Sequence, residues 1–143
     1  MITIKFINTE ATYDLRIKIL RDGKPERYHF DNDDAVGPFH LGVFKDDNCV
    51  GIATFLKSNH TYFNRKKNIY QLRGMAVDNS FQSKGVGKLI LERAIVALNE
   101  KSCELLWCNA RENAVGFYKK LGFKTEGERF MVQHVGPYFV MYI

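Results

Sequence analysis

A near-continuous apolar run ends at a polar loop, and an amphipathic helix then starts at a Gly-x-Gly. No other feature restricts this chain as much. In residues 68–77 the side chains of Ile69, Tyr70, Leu72, Met75, Ala76 and Val77 are apolar or aromatic, which reads as a strand covered on both faces. Residues 78–84 are polar and loop-like. From Gly85 to Asn99, the residues Val86, Leu89, Ile90, Ala94, Ala97 and Leu98 recur at helical spacing, with Lys88, Glu92 and Asn99 on the other side. A covered strand that bends into such a helix requires layers of helix and sheet, so the chain reads as α/β.

The flanking sequence fits one mixed layer structure. Residues 2–7 alternate apolar and polar side chains and read as a strand. Thr9 is expected to cap a helix reaching about Leu20, with Tyr13, Ile17 and Leu20 on one face. Residues 21–37 are turn-rich and read as a surface loop. Residues 39–44 and 49–56 are strands around a hairpin loop at 45–48. Residues 60–67 form a second polar connection. Residues 104–109 form a short apolar strand, and 112–121 a helix stopped by Gly122. Residues 123–127 and 134–143 are the last strands, the latter interrupted by Gly136-Pro137, a bulge or edge signal. The 143 residues fit a single domain over 1–143, without repeat or linker.

Composition narrows the classes of function. The net charge is +5, which suits a soluble basic surface or an anionic ligand. The longest basic run is Arg65-Lys66-Lys67, so nucleic acid is not an expected partner. The three cysteines form no CxxC, and no metal site is expected. Cys49 and Cys108 lie in apolar runs and read as buried, reduced thiols. Residues 1–7 read as a strand, not an export signal, and no apolar run reaches the ~20 residues of a membrane span. No membrane association and a cytoplasmic location are therefore expected.

The Gly85-Val86-Gly87 start carries the chemistry. The first turn of a helix has backbone N–H groups without intrahelical partners and the positive end of the helix dipole. Glycine lets those groups approach an anion closely, and a pyrophosphate suits the arrangement. A P-loop would need GxxxxGK[ST], and a dinucleotide fingerprint would need a third glycine where Ile90 stands; neither is present.

Residues Gln82-Ser83-Lys84-Gly85-Val86-Gly87 resemble the Q/R-x-x-G-x-G/A loop of the GNAT acetyltransferase superfamily. Residues 113–123, with Ala114, Phe117, Tyr118, Gly122 and Phe123, resemble the A-x-x-F-Y-x-x-x-G-F element of the same family. The order of the two motifs, and the helix and strand between them, also agree. The resemblance implies a mixed, mostly antiparallel sheet with helices on both faces. It also implies a V-shaped splay between two central parallel strands, near 68–77 and 104–109.

The resemblance further implies direct transfer of an acetyl group from acetyl-coenzyme A to a primary amine of a small molecule, without a metal. Backbone groups of Gln82, Ser83, Lys84, Gly85, Val86, Gly87 and Lys88 would hold the pyrophosphate. Those of Met75, Ala76 and Val77 would pair with the pantetheine arm. Tyr118 would protonate the leaving thiolate; as a bare residue it reads equally as a core aromatic. Phe117 and Phe123 read as core.

Where many members carry Asn, this chain has Arg111, with Asn109 and Asn113 nearby as candidates to steady the pantetheine. Residues 70–75 hold no carboxylate, so the family's Glu base is absent there and a water relay or another group must take the proton. Arg73 reads either as a structural partner of a carboxylate such as Glu112 or as a clamp for an anionic group on the substrate. His40 and His134 lie on expected strands; His40 is the better candidate for proton transfer, against a structural, hydrogen-bonded reading. The acceptor side is expected from residues 21–39, the loop around His60 and the final strands. A protein or peptide acceptor, a catalytically silent coenzyme A-binding regulator, and a homodimer remain open.

Overall fold

The computed structural model describes residues 1–20 and 37–143. Its strands are β1 (Ile2–Ile7), β2 (Phe39–Lys45), β3 (Asn48–Lys57), β4 (Ile69–Val77), β5 (Leu105–Arg111), β6 (Lys124–Val132) and β7 (Gly136–Tyr142). Its α-helices are α1 (Tyr13–Leu15), α2 (Val86–Glu100) and α3 (Val115–Lys120). Among the described residues, the strand order in the sheet is β1-β2-β3-β4-β5-β7-β6. The pairs β1–β2, β2–β3, β5–β7 and β6–β7 are antiparallel. The expected parallel pair is present, with Ile69, Tyr70 and Gln71 of β4 opposite Leu105, Leu106 and Trp107 of β5. This is the mixed α/β, mostly antiparallel architecture read from the sequence. The expected loop at 21–37 and most of the expected acceptor wall at 21–39 lie outside the described residues.

Two compact units divide the chain: Met1–Leu56 with Arg73–Lys101, and Lys57–Leu72 with Ser102–Ile143. In the first, the interiors of β2 and β3 are closed to solvent at Leu41, Val43, Ile52, Ala53 and Phe55. Leu15, Ile52 and Ala76 form a cluster there. Helix α2 buries Val86, Gly87, Ile90, Leu91, Ala94, Ala97 and Leu98, the expected stripe with Leu91 buried more deeply than Leu89. Gly51 of β3 sets how closely this helix approaches, since a Cβ there would come within 2.5 Å of Val86 Cγ1. The second unit packs Phe63, Ile69, Leu105, Trp107 and Val140 together. Trp107 donates its indole N–H to the Ser58 carbonyl at 2.7 Å.

Several local expectations are corrected. The segment after β1 is not one regular helix: a 3-10 turn at Glu10–Thr12 leads into α1 and then a wider π turn at Arg16–Leu20. Asn8 supplies the cap, its Oδ1 accepting from Ala11 N at 3.0 Å, while Thr9 is already helical and makes no cap bond. Thr12, Leu15 and Arg16 are the buried residues of this segment, while Tyr13 and Ile17 are half-buried and Leu20 packs half-buried against the Leu15 cluster. Strand β6 runs on past Gly127 through a bulge between Glu126 and Phe130. Gly127 adopts φ +76 there, and Tyr62 lies so close that an added Cβ would meet its ring at 2.5 Å. His134 is not on a strand but at φ +66 in the exposed β6–β7 turn. Pro137 fits near the start of β7 because the β5 register begins one residue later, at Tyr138.

Substituting Gly51→Ala forces a methyl into the Val86 side chain. An overpacked site of this kind costs about 1–3 kcal/mol, so the variant should melt several degrees below the parent by calorimetry. An unchanged Tm would mean that α2 shifts freely against β3.

Candidate functional site

The loop between β4 and α2 is held by hydrogen bonds from its own residues and from Lys18. Gly74, in the middle of β4, takes φ +62 and interrupts the extended backbone as a bulge would. Beyond it, Met75 and Val77 are half-buried and Ala76 is buried. Asp78 then organises the turn. Its N–H donates to the Val50 carbonyl at 2.8 Å. Its carboxylate accepts from Ser80 N at 3.1 Å and Ser80 Oγ at 2.8 Å, and from Lys18 Nζ at 2.8 Å. The Lys18 hydrogen bond, and then those of Ser80, hold the Asp78 carboxyl well below its usual range, at about 2.

Gln82 has a structural reason for its place in the motif. Its Nε2 donates to the Val77 carbonyl and to Asn79 Oδ1, both at 3.1 Å, so the side chain stitches the end of β4 to the loop. The backbone then turns left-handed twice, at Ser83 (φ +62) and Gly85 (φ +85). Gly85 is the N-cap of α2 and brings no side chain to cap it. The first-turn amides of α2 therefore depend on an acceptor from outside the helix. Space is available: apart from its own chain neighbours and helix backbone, no atom lies within 4 Å of where a Gly85 Cβ would stand. Residues 82–85 and Lys88 are exposed, and the Lys84 ammonium lies over the Phe81 ring at 5.8 Å.

His40 lies elsewhere in this unit, buried on β2. Its Nε2 is 3.1 Å from Thr9 Oγ1 and its Nδ1 is 2.7 Å from Thr54 Oγ1. Thr54 Oγ1 also accepts from Arg16 Nη2 at 2.8 Å, and Arg16 is closed to solvent. Thr9 thus serves a buried polar chain rather than a helix cap. Arg73, on β4, is half-buried, while Glu112, its suggested partner, receives Arg129 Nε at 2.7 Å.

In the second unit, Tyr118 is fixed by the end of its own helix. Gly122 takes φ +98. Its N–H donates to the Lys119 carbonyl at 3.0 Å, and the Phe123 N–H to the Tyr118 carbonyl at 3.1 Å. That pair of bonds is a Schellman ending, and its apolar contact is the Phe123 ring 5.2 Å from that of Tyr118. The Gly-Phe of the motif is thus a clamp on Tyr118. Phe123 is buried as expected, whereas Phe117, one helical step off that face, is 38% exposed.

The Tyr118 hydroxyl lies beside the buried thiol of Cys108, close enough for the two groups to shift each other's ionisation. Burial, and then Cys108, push the Tyr118 hydroxyl well above the usual phenol range. Burial also pushes the Cys108 thiol up to about 12 against the lowering effect of Tyr118. Both groups stay protonated near neutrality, so Tyr118 can act as a proton donor but not as a resting base. Cys49, expected to be buried, is half-buried. Asn109 and Asn113 are both exposed, on β5 and on the turn before α3.

The structure therefore gathers Met75–Val77 and Gln82–Lys88 into one continuous piece of the first unit. It places Asn109, Asn113 and Tyr118 in the second. Sequence reasoning missed Asp78, Lys18 and Cys108 as the supports of the loop and of the tyrosine. Asp78 carried a local signal, an Asp two residues before a Ser at a strand end. Lys18 lies 60 positions away and carried none. Among the described residues, no three His, Cys, Asp or Glu side chains are placed to hold a metal ion, and no helix is long and apolar enough to cross a membrane.

A family model described as "Acetyltransferase (GNAT) family" matches residues 9–123. An uncharacterized N-acetyltransferase of Bacillus subtilis, YitI, is 36% identical over 143 residues, covering 99% of this chain and 95% of that protein. Among solved structures, Escherichia coli ElaA superposes with a TM-score of 0.81 at 17% identity, covering 99% of both chains. An aminoglycoside 6'-N-acetyltransferase complexed with coenzyme A gives 0.74 at 14% identity, covering 99% of this chain and 96% of that one.

The raised Cys108 value carries a sign for folding. Between the usual thiol value of 9.0 and about 12, the folded chain keeps a proton that the unfolded chain releases, so stability falls as pH rises. The loss approaches about 1.4 kcal/mol per pH unit. Urea melts from pH 9 to 11 should show this extra slope in the wild type and not in Cys108→Ala. Equal slopes would show that the thiol ionises as readily when folded.

Proposed function

Because the chain belongs to the GNAT acetyltransferase family, a family of acyltransferases, we propose that it moves an acetyl group from acetyl-coenzyme A directly to a primary amine of a small molecule. The observation that carries this reading is the uncapped start of α2. Gly85 at φ +85 begins the helix without a side-chain cap, and Lys84, Gly85 and Lys88 are exposed around it. A linked pair of phosphates satisfies those donors and the helix dipole together.

In this reading the amides of Ser83–Lys88 bind the pyrophosphate. Backbone groups of Met75–Val77 pair with the pantetheine arm as an added strand would, and Asn109 and Asn113 steady its amides. The acceptor must lose a proton to attack the thioester carbonyl. With no carboxylate at residues 70–75, a water relay is the base we assign. A β4 amide at Met75 or Ala76 donates to the oxyanion as charge develops there. Tyr118 gives its proton to the departing thiolate. Its raised pKa keeps the hydroxyl protonated at rest. His40 is assigned to the frame of the first unit, since both of its ring nitrogens are engaged by threonines. Arg73 is the residue of β4 suited to hold a carboxylate or phosphate on the acceptor.

Two substitutions separate binding from chemistry. Tyr118→Phe should lower kcat by about a hundredfold or more in a thiol-release assay over a panel of amines, with coenzyme A affinity within twofold of wild type. Gly85→Val must hold a branched residue at positive φ, which costs about 1–2 kcal/mol. It should weaken coenzyme A binding about tenfold by calorimetry. Unchanged turnover in the first variant would remove Tyr118 from the reaction, and unchanged binding in the second would remove the loop from the site.

A further inference from the structure

The connection between β3 and β4 forms an open groove of about 510 Å³ in the second unit. It is lined by Asn59, His60, Thr61, Asn64, Lys66 and Lys67 over Phe63 and Ile69. The loop around His60 belongs to the acceptor wall expected from the sequence, but no proton transfer and no coenzyme A contact of the proposed reaction is assigned to a residue of this groove. The walls are fixed from several sides. His60 Nδ1 accepts from Tyr62 N at 3.1 Å, and the 3-10 turn Thr61–Phe63 closes with Phe63 N donating to the His60 carbonyl at 2.9 Å. Lys66 N donates to the Phe63 carbonyl at 3.0 Å. The Lys67 and Asn68 amides share Glu104 Oε2 at 2.7 and 2.9 Å. The His60 ring rests on Trp107 at 4.8 Å.

This construction decides what the groove offers to a ligand. Because Nδ1 of His60 accepts a hydrogen bond, the neutral ring carries its proton on Nε2. Among the described residues, that N–H has no partner, and the ammonium groups of Lys66 and Lys67 form no ion pair. Arg65 adds a third cation at the same turn, and Glu104 is the carboxylate that faces the lysines. The balance is positive, the donors outnumber the acceptors, and the floor is apolar. We propose that this groove binds a small molecule carrying an oxyanion, a phosphate or a carboxylate, on an apolar body. It is a second anion site, independent of the α2 loop. The lysines and the His60 Nε2–H hold the charged end, while Phe63 and Ile69 face the apolar part.

Trp107 is the one tryptophan of the chain and touches a groove wall, so its fluorescence reports occupancy. Phenyl phosphate and benzoate, titrated at constant ionic strength into the full chain saturated with coenzyme A, should each change the Trp107 emission saturably; phenol should not. Lys66→Ala and Lys67→Ala should each weaken the anions by about fivefold, and Lys66→Glu combined with Lys67→Glu should abolish the response with the thermal melt retained. Backbone amide shifts confined to residues 59–69 would place the ligand. Response to one anion alone supports the proposal for that anion. No response to either, an equal response to phenol, or indifference to the lysine substitutions would overturn it.

Discussion

A helix that starts without a side-chain cap has polar groups that something else must satisfy, and the first unit is arranged around that requirement at Gly85. Two left-handed residues, Ser83 and Gly85, lead the chain into α2, whose first turn has no side-chain cap from Gly85. The position of the helix is set independently, by Val86 seated against the bare Cα of Gly51. The loop is held from behind by Asp78, which ties Ser80 and Lys18 to the end of β4. Each of these features fixes backbone rather than supplying a reactive side chain. The first unit therefore contributes a preformed set of N–H donors.

The second unit solves a different problem, which is to keep a hydroxyl in place and protonated. The helix bearing Tyr118 is only six residues long, too short to be stable by itself. Its ending supplies the missing rigidity: Gly122 reverses the chain, Phe123 returns against Tyr118, and two carbonyls are satisfied in the process. Burial beside Cys108 then keeps the proton on the oxygen.

What could be read from the sequence divides along physical lines. The long amphipathic pattern of α2, the covered strand before it and the Gly122 stop were legible, because each is written within a few consecutive residues. The mixed sheet with its β4–β5 parallel pair followed from the family motifs. The corrected features depend on contacts distant in sequence. Thr9 looked like a cap, yet its hydroxyl is taken by His40, 31 positions away. The regular helix expected through Leu20 gives way to a π turn where Arg16 reaches Thr54. His134 stood at the start of an expected strand, but the turn runs through Val135 and β7 begins only at Gly136. Periodicity could not show any of these.

The bulge at Gly127 has a consequence for how this chain behaves among its own copies. Among the described residues, strand β6 is the last in the sheet order, the position whose outer backbone groups can recruit further strands. Its exposed side chains include Lys124, Glu126, Glu128 and Arg129, and the ladder is broken between Glu126 and Phe130. An incoming strand would meet a kink and exposed charges instead of a flat template. The kink that lets Tyr62 approach Gly127 also guards this border against runaway edge-to-edge stacking.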